Sequence, residues 1–144
     1  MTSSPTKKKL HHHHEIWTNI FLLIPACAAF MDNMPILGLF IVMVMLTSFT
    51  YHILRTQGFS KTFAAFALLD LTLAIFLTLI NAALLFLAPS MGAFGLWALL
   101  SFLFALYAFK KQFTSDEAVY GPYHAVWHVL GSLATLFSIL TFLG

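Results

Sequence analysis

The chain has a single cysteine, Cys27, in 144 residues. One thiol excludes an internal disulfide framework and any metal site built from clustered cysteines. Charge is scarce too: Asp, Glu, Lys and Arg make up 8% of the residues, where ordinary soluble domains carry about 25%. With 60% of the residues hydrophobic, a soluble fold of this length would lack the polar surface to cover its outside. There are no hairpin-turn signals and no alternating ~10-residue segments of the kind a membrane barrel requires. No polar stretch is left over for a soluble domain, and no nucleic-acid partner is expected. What remains is an all-α polytopic membrane protein folded as one compact helix bundle.

A spanning helix needs about 20 mostly apolar residues. The sequence predicts five such spans, near 16–30, 36–54, 62–87, 90–109 and 124–143. The breaks "MDNMP", "RTQGFSK", "LAPSMG" and "KKQFTSDEAVYGPY" each contain proline, glycine or charge, as helix boundaries do. Residues 1–14 read as a basic, histidine-rich tail and 15–144 as the transmembrane domain.

The charges then segregate. With five spans, Lys7, Lys8, Lys9, Arg55, Lys61, Lys110 and Lys111 all fall on one side, and the other side has only Asp32. The positive-inside rule places the N-terminus in the cytoplasm and the C-terminus outside. A competing layout exists at the N-terminus: "KKK", an apolar stretch and "IPACAA" resemble a signal peptide with Cys27 at a lipoprotein cut. Pro25 is unusual there, and four histidines make an odd charged region, so an uncleaved first span is the preferred reading. The tetra-histidine His11 to His14 is too short and exposed to argue from.

Few polar groups interrupt the spans. Ser48 and His52 lie near the end of the second, Asp70 lies about two turns into the third with Asn81 three turns deeper, and His124 and His128 open the fifth. Outside the tail these are the only histidines. By the topology above, Ser48, His52, Asp70, His124 and His128 share one layer on the cytoplasmic side. The i, i+4 spacing puts Ser48 with His52, and His124 with His128, on one helix face each. Each alone has a structural explanation. A serine can bond its own helix carbonyl, and a histidine can bond a neighbouring helix. Three imidazoles and a carboxylate at one depth, with no basic residue in the layer to pair with Asp70, are harder to explain that way, since ionisable groups in a span usually face the bundle interior.

Three neutral imidazoles plus an open position make a catalytic zinc arrangement. Asp70 then acts either as a partner of a ligand or as a base, and Ser48 can donate to a developing oxyanion. Haem held between His52 and His128 is the rival, but it leaves His124 and Asp70 without a role.

These segments resemble a known family. "HAVWHVLGSL" is similar to the final-helix histidine pair of the alkaline ceramidases, and "SFTYH" to their serine–histidine motif. "LLD" at 68–70 resembles their aspartate segment, and "EIWTNIFLLIP" at 15–25 the start of their first helix, all in the same order along the chain. The motifs also mark the wider CREST superfamily of membrane hydrolases, which includes the adiponectin and progestin receptors. The resemblance implies zinc held by His52, His124 and His128, Asp70 and Ser48 beside the metal, and hydrolysis of a ceramide-like lipid amide. The family has seven spans, so a five-span chain would lack two walls of the lipid chamber, between the aspartate helix and the histidine-pair helix. The family's acidic calcium-binding segment is replaced by "KKKLHHHH", although Glu15, Trp17 and Asn19 match its retained part. The expectation is therefore a cytoplasm-facing zinc hydrolase whose lipid substrate enters from the bilayer, with dimerisation as one way to rebuild missing walls. The alternative is a non-enzymatic scaffold or receptor braced by structural zinc.

Overall fold

The computed structural model describes residues 16–57, 60–114 and 117–144, and the side chains of 16–55, 64–112 and 120–144. The tail with His11 to His14, Glu15 and the boundary between tail and domain lie outside the described residues. Five helical segments follow one another and no strand occurs among the described residues. We label them α1 (Ile16–Met31), α2 (Pro35–Gln57), α3 (Ser60–Leu87), α4 (Gly92–Thr114) and α5 (Glu117–Leu143).

Helices α2 to α5 are long and apolar enough to cross a membrane. Large apolar side chains such as Leu68, Phe76, Phe86 and Leu103 face outward, as they must when the solvent is hydrocarbon. The chain is thus an integral membrane helix bundle. Helix α1 is shorter, at 16 residues. Its Asn19–Leu22 turn is wound as 3-10 helix, which rises faster per residue. The whole segment then reaches about 26 Å, a little short of a ~30 Å hydrocarbon core.

The helices overrun the apolar spans. The stretches read as breaks after the second and fourth spans are mostly helical: α2 continues to Gln57, α4 to Thr114, and α5 starts at Glu117. His124 and His128 therefore lie two to three turns inside α5 and do not open it. The reason is that hydropathy marks where a helix is greasy, not where its backbone stops bonding. Pro122, taken as a stop, sits in the second turn of α5, where it costs one bond to a carbonyl of the first turn.

One break is as sharp as expected. α1 ends in a Schellman turn, with the Met34 N–H donating to Ala29 C=O at 2.8 Å and the Asn33 N–H to Phe30 C=O at 3.4 Å. Asn33 takes the left-handed conformation at φ 58°, which asparagine tolerates better than most residues. Pro35 then starts α2, where its missing N–H would have had no partner anyway.

α5 is the central helix. It packs along α4 and also meets α3 and α1, while α2 packs on α1 and α3. Its buried side chains are small and hydroxylated. Ser132, Thr135, Ser138 and Thr141 each donate to the carbonyl four residues back, at 2.7–3.0 Å. The hydroxyls are thereby satisfied and their bulk is low, so neighbouring helices can approach closely. α4 answers with its own stripe of small buried residues, Ala98, Ser101, Ala105 and Ala108. By contrast α3 and α4 touch only marginally, if at all, as do α2 and α5. Both gaps matter below.

The turn conformation gives a direct test. Asn33→Val should lower stability by about 1–2 kcal/mol, the cost of a branched side chain in the left-handed region. Asn33→Gly should be neutral or slightly stabilising. The midpoint of reversible unfolding in mixed detergent micelles measures both.

Candidate metal centre

Three imidazoles converge on one point. His52 comes from the penultimate turn of α2, and His124 and His128 from consecutive turns of α5. Their Nε2 atoms stand 3.0 Å (His52–His124), 3.3 Å (His52–His128) and 2.9 Å (His124–His128) apart. All three rings are buried. The rings cross steeply, with interplanar angles of 67–79°, so the nitrogens meet while the ring bodies splay apart. The backbones of α2 and α5 are barely in contact, and the imidazoles bridge the space between them.

Hydrogen bonding alone cannot account for this triangle. An Nε2 that carries a proton has no lone pair, and one that accepts has no proton. Three mutual contacts therefore leave at least one pair of like groups, two lone pairs or two protons, facing each other. The tautomer of His124 sharpens the point. Its Nδ1–H donates to Gln112 Oε1 at 2.6 Å, so in the neutral ring Nε2 presents a lone pair. A cation at the meeting point turns repulsion into bonding. These three residues form the group among the described residues that could hold a metal ion. Haem does not suit the arrangement, because paired axial histidines must stand on opposite faces of the ring, whereas these nitrogens are neighbours.

The surroundings support the rings. The Tyr120 ring stacks on His124 with centroids 5.2 Å apart, and the Arg55 guanidinium lies 4.1 Å above the Tyr120 ring. Tyr51 packs against His52 at 4.8 Å. The layer is therefore not free of basic residues, as the sequence suggested. Arg55 is one turn beyond His52 and stacks through Tyr120 onto the site.

The structure places Ser48 and Asp70 beside the histidines but outside the ligand group. Ser48 is one turn below His52 on α2 and faces Asp70 of α3. Its buried Oγ has no partner at hydrogen-bond distance. Asp70 borders two spaces. One is a small, half-open cavity of about 70 Å³ under the metal point, shared with Ser48 and His128. The other, of about 440 Å³, lies between α3 and α4, floored by α5, with His124, Gln112 and Tyr120 at one end. Leu71, Ile75, Leu79 and Leu106 make its walls apolar. A further 220 Å³ space continues the same gap past Thr78 to Leu85 and Leu99.

Gln112 is the residue that sequence reasoning missed, since it fell in a stretch read as a loop. A signal was present. Ala98, Ser101, Ala105, Ala108 and Gln112 repeat at spacings of three and four, so the helical face that packs on α5 runs on to Gln112.

Comparison with protein-family models, with curated proteins and with solved structures gives no match for this chain.

Purified without nickel resin, the chain should bind about one divalent ion, retained when His11 to His14 are deleted and lost in His128→Ala. Gln112→Leu should keep the site but weaken it 10–100-fold, the usual effect of removing the partner of a ligating histidine. Competition with a fluorescent chelator measures both affinities.

Proposed function

We propose that the chain is a zinc-dependent intramembrane hydrolase of a lipid amide or a related lipid bond, a shortened relative of the alkaline ceramidases. The observation that carries this reading is the convergence of three buried Nε2 atoms beside a carboxylate that is not itself in the ligand group. Nitrogens bound tetrahedrally to zinc at 2.0–2.1 Å stand about 3.3 Å apart, and the triangle here, with sides of 2.9–3.3 Å, is close to that. Four-coordinate zinc with three protein ligands keeps one position for chemistry, whereas a purely structural site would be expected to close its shell with Asp70.

When bound, zinc supplies a Lewis acid that polarises a carbonyl and eases deprotonation of water. His52, His124 and His128 would hold it, with Gln112 setting the His124 tautomer. Asp70 would take the proton from water as its oxygen attacks the carbonyl carbon. It would return that proton to the nitrogen as the C–N bond breaks, releasing a free acid and an amine. Ser48 would donate to the developing oxyanion or orient the water. The lipid would enter sideways through the gap between α3 and α4, with its chain against Leu71, Ile75 and Leu106 and its polar bond at Asp70. A volume of about 440 Å³ is in the range of small-molecule sites.

In this reading α1 also crosses the membrane, giving five spans with the metal layer toward the cytoplasm. The basis is the charge pattern, since all seven Lys and Arg residues then share one side.

Asp70→Asn should retain zinc while lowering turnover of N-acyl sphingoid lipids by ~10²–10⁴-fold, because an amide cannot take up the proton. Zinc lost together with activity would make Asp70 a ligand. Lipid amides and esters left intact by zinc-loaded wild type would favour the braced, non-enzymatic scaffold. A reporter fused after Gly144 should appear outside the cytoplasm and one inserted between α4 and α5 inside it; the reverse at both sites would put the metal layer on the outer face.

A further inference from the structure

Asn81 has no part in the reading above, yet it is about nine-tenths buried within the last two turns of the membrane helix α3. Its Nδ2 donates to Thr135 Oγ1 at 2.9 Å, and Thr135 in turn donates to Gly131 C=O. Its Oδ1 is buried without a hydrogen-bond partner. Asn81 is eleven residues beyond Asp70, three turns on the same face of α3, and Ala74, Leu77 and Thr78 lie between them on that face. Asp70 and Asn81 both line the small cavity under the metal point, together with Ser48, Ser132 and Thr135.

Several polar groups of this cavity can only accept. Ser132 and Thr135 direct their protons to their own helix, so each offers only acceptor capacity. Asn81 Oδ1 is an acceptor, and so is an ionised Asp70. Ser48 Oγ lies beside Asp70 and has no partner at hydrogen-bond distance, and a bridging donor–acceptor molecule would satisfy both groups. A small occupant that donates would satisfy these acceptors. About 70 Å³ is room for at least two waters. An acyl chain would leave Asn81 Oδ1 unbonded.

We propose that this cavity is a built water site: a short file of ordered water anchored at Asn81 Oδ1 and Ser48 Oγ that reaches the Asp70 carboxylate. Asp70 stands between it and the apolar groove of α3 and α4. Water then reaches the metal layer from inside the bundle, and lipid reaches it from the bilayer. The presence of water does not depend on the hydrolase reading; its use as the supply for hydrolysis does.

X-ray hydroxyl-radical footprinting of the full chain in lipid nanodiscs tests this, because buried residues are oxidised when ordered water lies beside them. Leu22 and Leu77 line the cavity, whereas Leu84, buried to the same degree, and Ile41, buried completely, belong to the same core and do not line it. In wild type, Leu22 and Leu77 should be oxidised at least several-fold faster than Ile41 and Leu84. In Asn81→Leu, which removes the anchor and fills the space, the difference should vanish. Equal rates at all four leucine and isoleucine positions in wild type would overturn the proposal. Unchanged labelling of Leu22 and Leu77 in Asn81→Leu would overturn the anchoring role of Asn81. If that variant also raises labelling at Ile41 and Leu84, its packing has loosened, and Thr135→Val, which frees Asn81 while keeping its side chain, replaces it and should alter only Leu22 and Leu77. For the supply role, Asn81→Leu should lower kcat several-fold at unchanged zinc content, and an unchanged kcat would overturn that role. Absence of turnover in wild type would instead sink the hydrolase reading and leave the labelling contrast standing.

Discussion

Three buried imidazole nitrogens held within 3.3 Å of one another cannot all be paired by hydrogen bonds, and a cation at their meeting point would make the arrangement favourable. Much of the bundle answers to that demand. α2 and α5 hardly touch through their backbones, so the imidazoles are what fixes their separation at this level. The i, i+4 pair fixes the rotation of α5, which in turn buries its hydroxylated face inside the bundle. Gln112 then ties α4 to the same point through His124. Imidazole convergence, helix rotation and helix spacing form one problem with one solution.

Much of this was legible in the sequence. A chain with so little charge must be membrane-embedded, and the 124/128 pair with His52 could be assigned to one site from spacing and depth alone. Helix ends were less legible, because the polar turns of α4 and α5 beyond the apolar window look like loop to any hydropathy argument. Gln112 was lost for that reason, although the small-residue stripe Ala98 to Ala108 points straight at it. The gap between α3 and α4 could not be read at all. In a bilayer, a helix face that meets lipid and a face that meets another helix are equally apolar, so composition does not say which helices stay apart. Arg55 shows a related limit: charge was assigned to a loop, whereas the guanidinium folds back over Tyr120.

Asp70 shows how a single carboxylate can belong to two environments. On one side it meets the serine, threonine and asparagine of the interior, on the other the leucines and isoleucine of the lateral groove. A group at such a boundary can exchange a proton with a polar phase while facing an apolar one. That is the physical requirement for acid–base chemistry on a molecule that never leaves the membrane.

The opening between α3 and α4 runs along the sides of the helices and not at their ends. A molecule that fills it arrives by two-dimensional diffusion, and its effective concentration is a mole fraction of the surrounding lipid, not a molarity in water. Occupancy therefore follows the composition of the leaflet. Adding inert detergent or lipid empties the groove by surface dilution, even when the total amount of ligand in the sample stays the same.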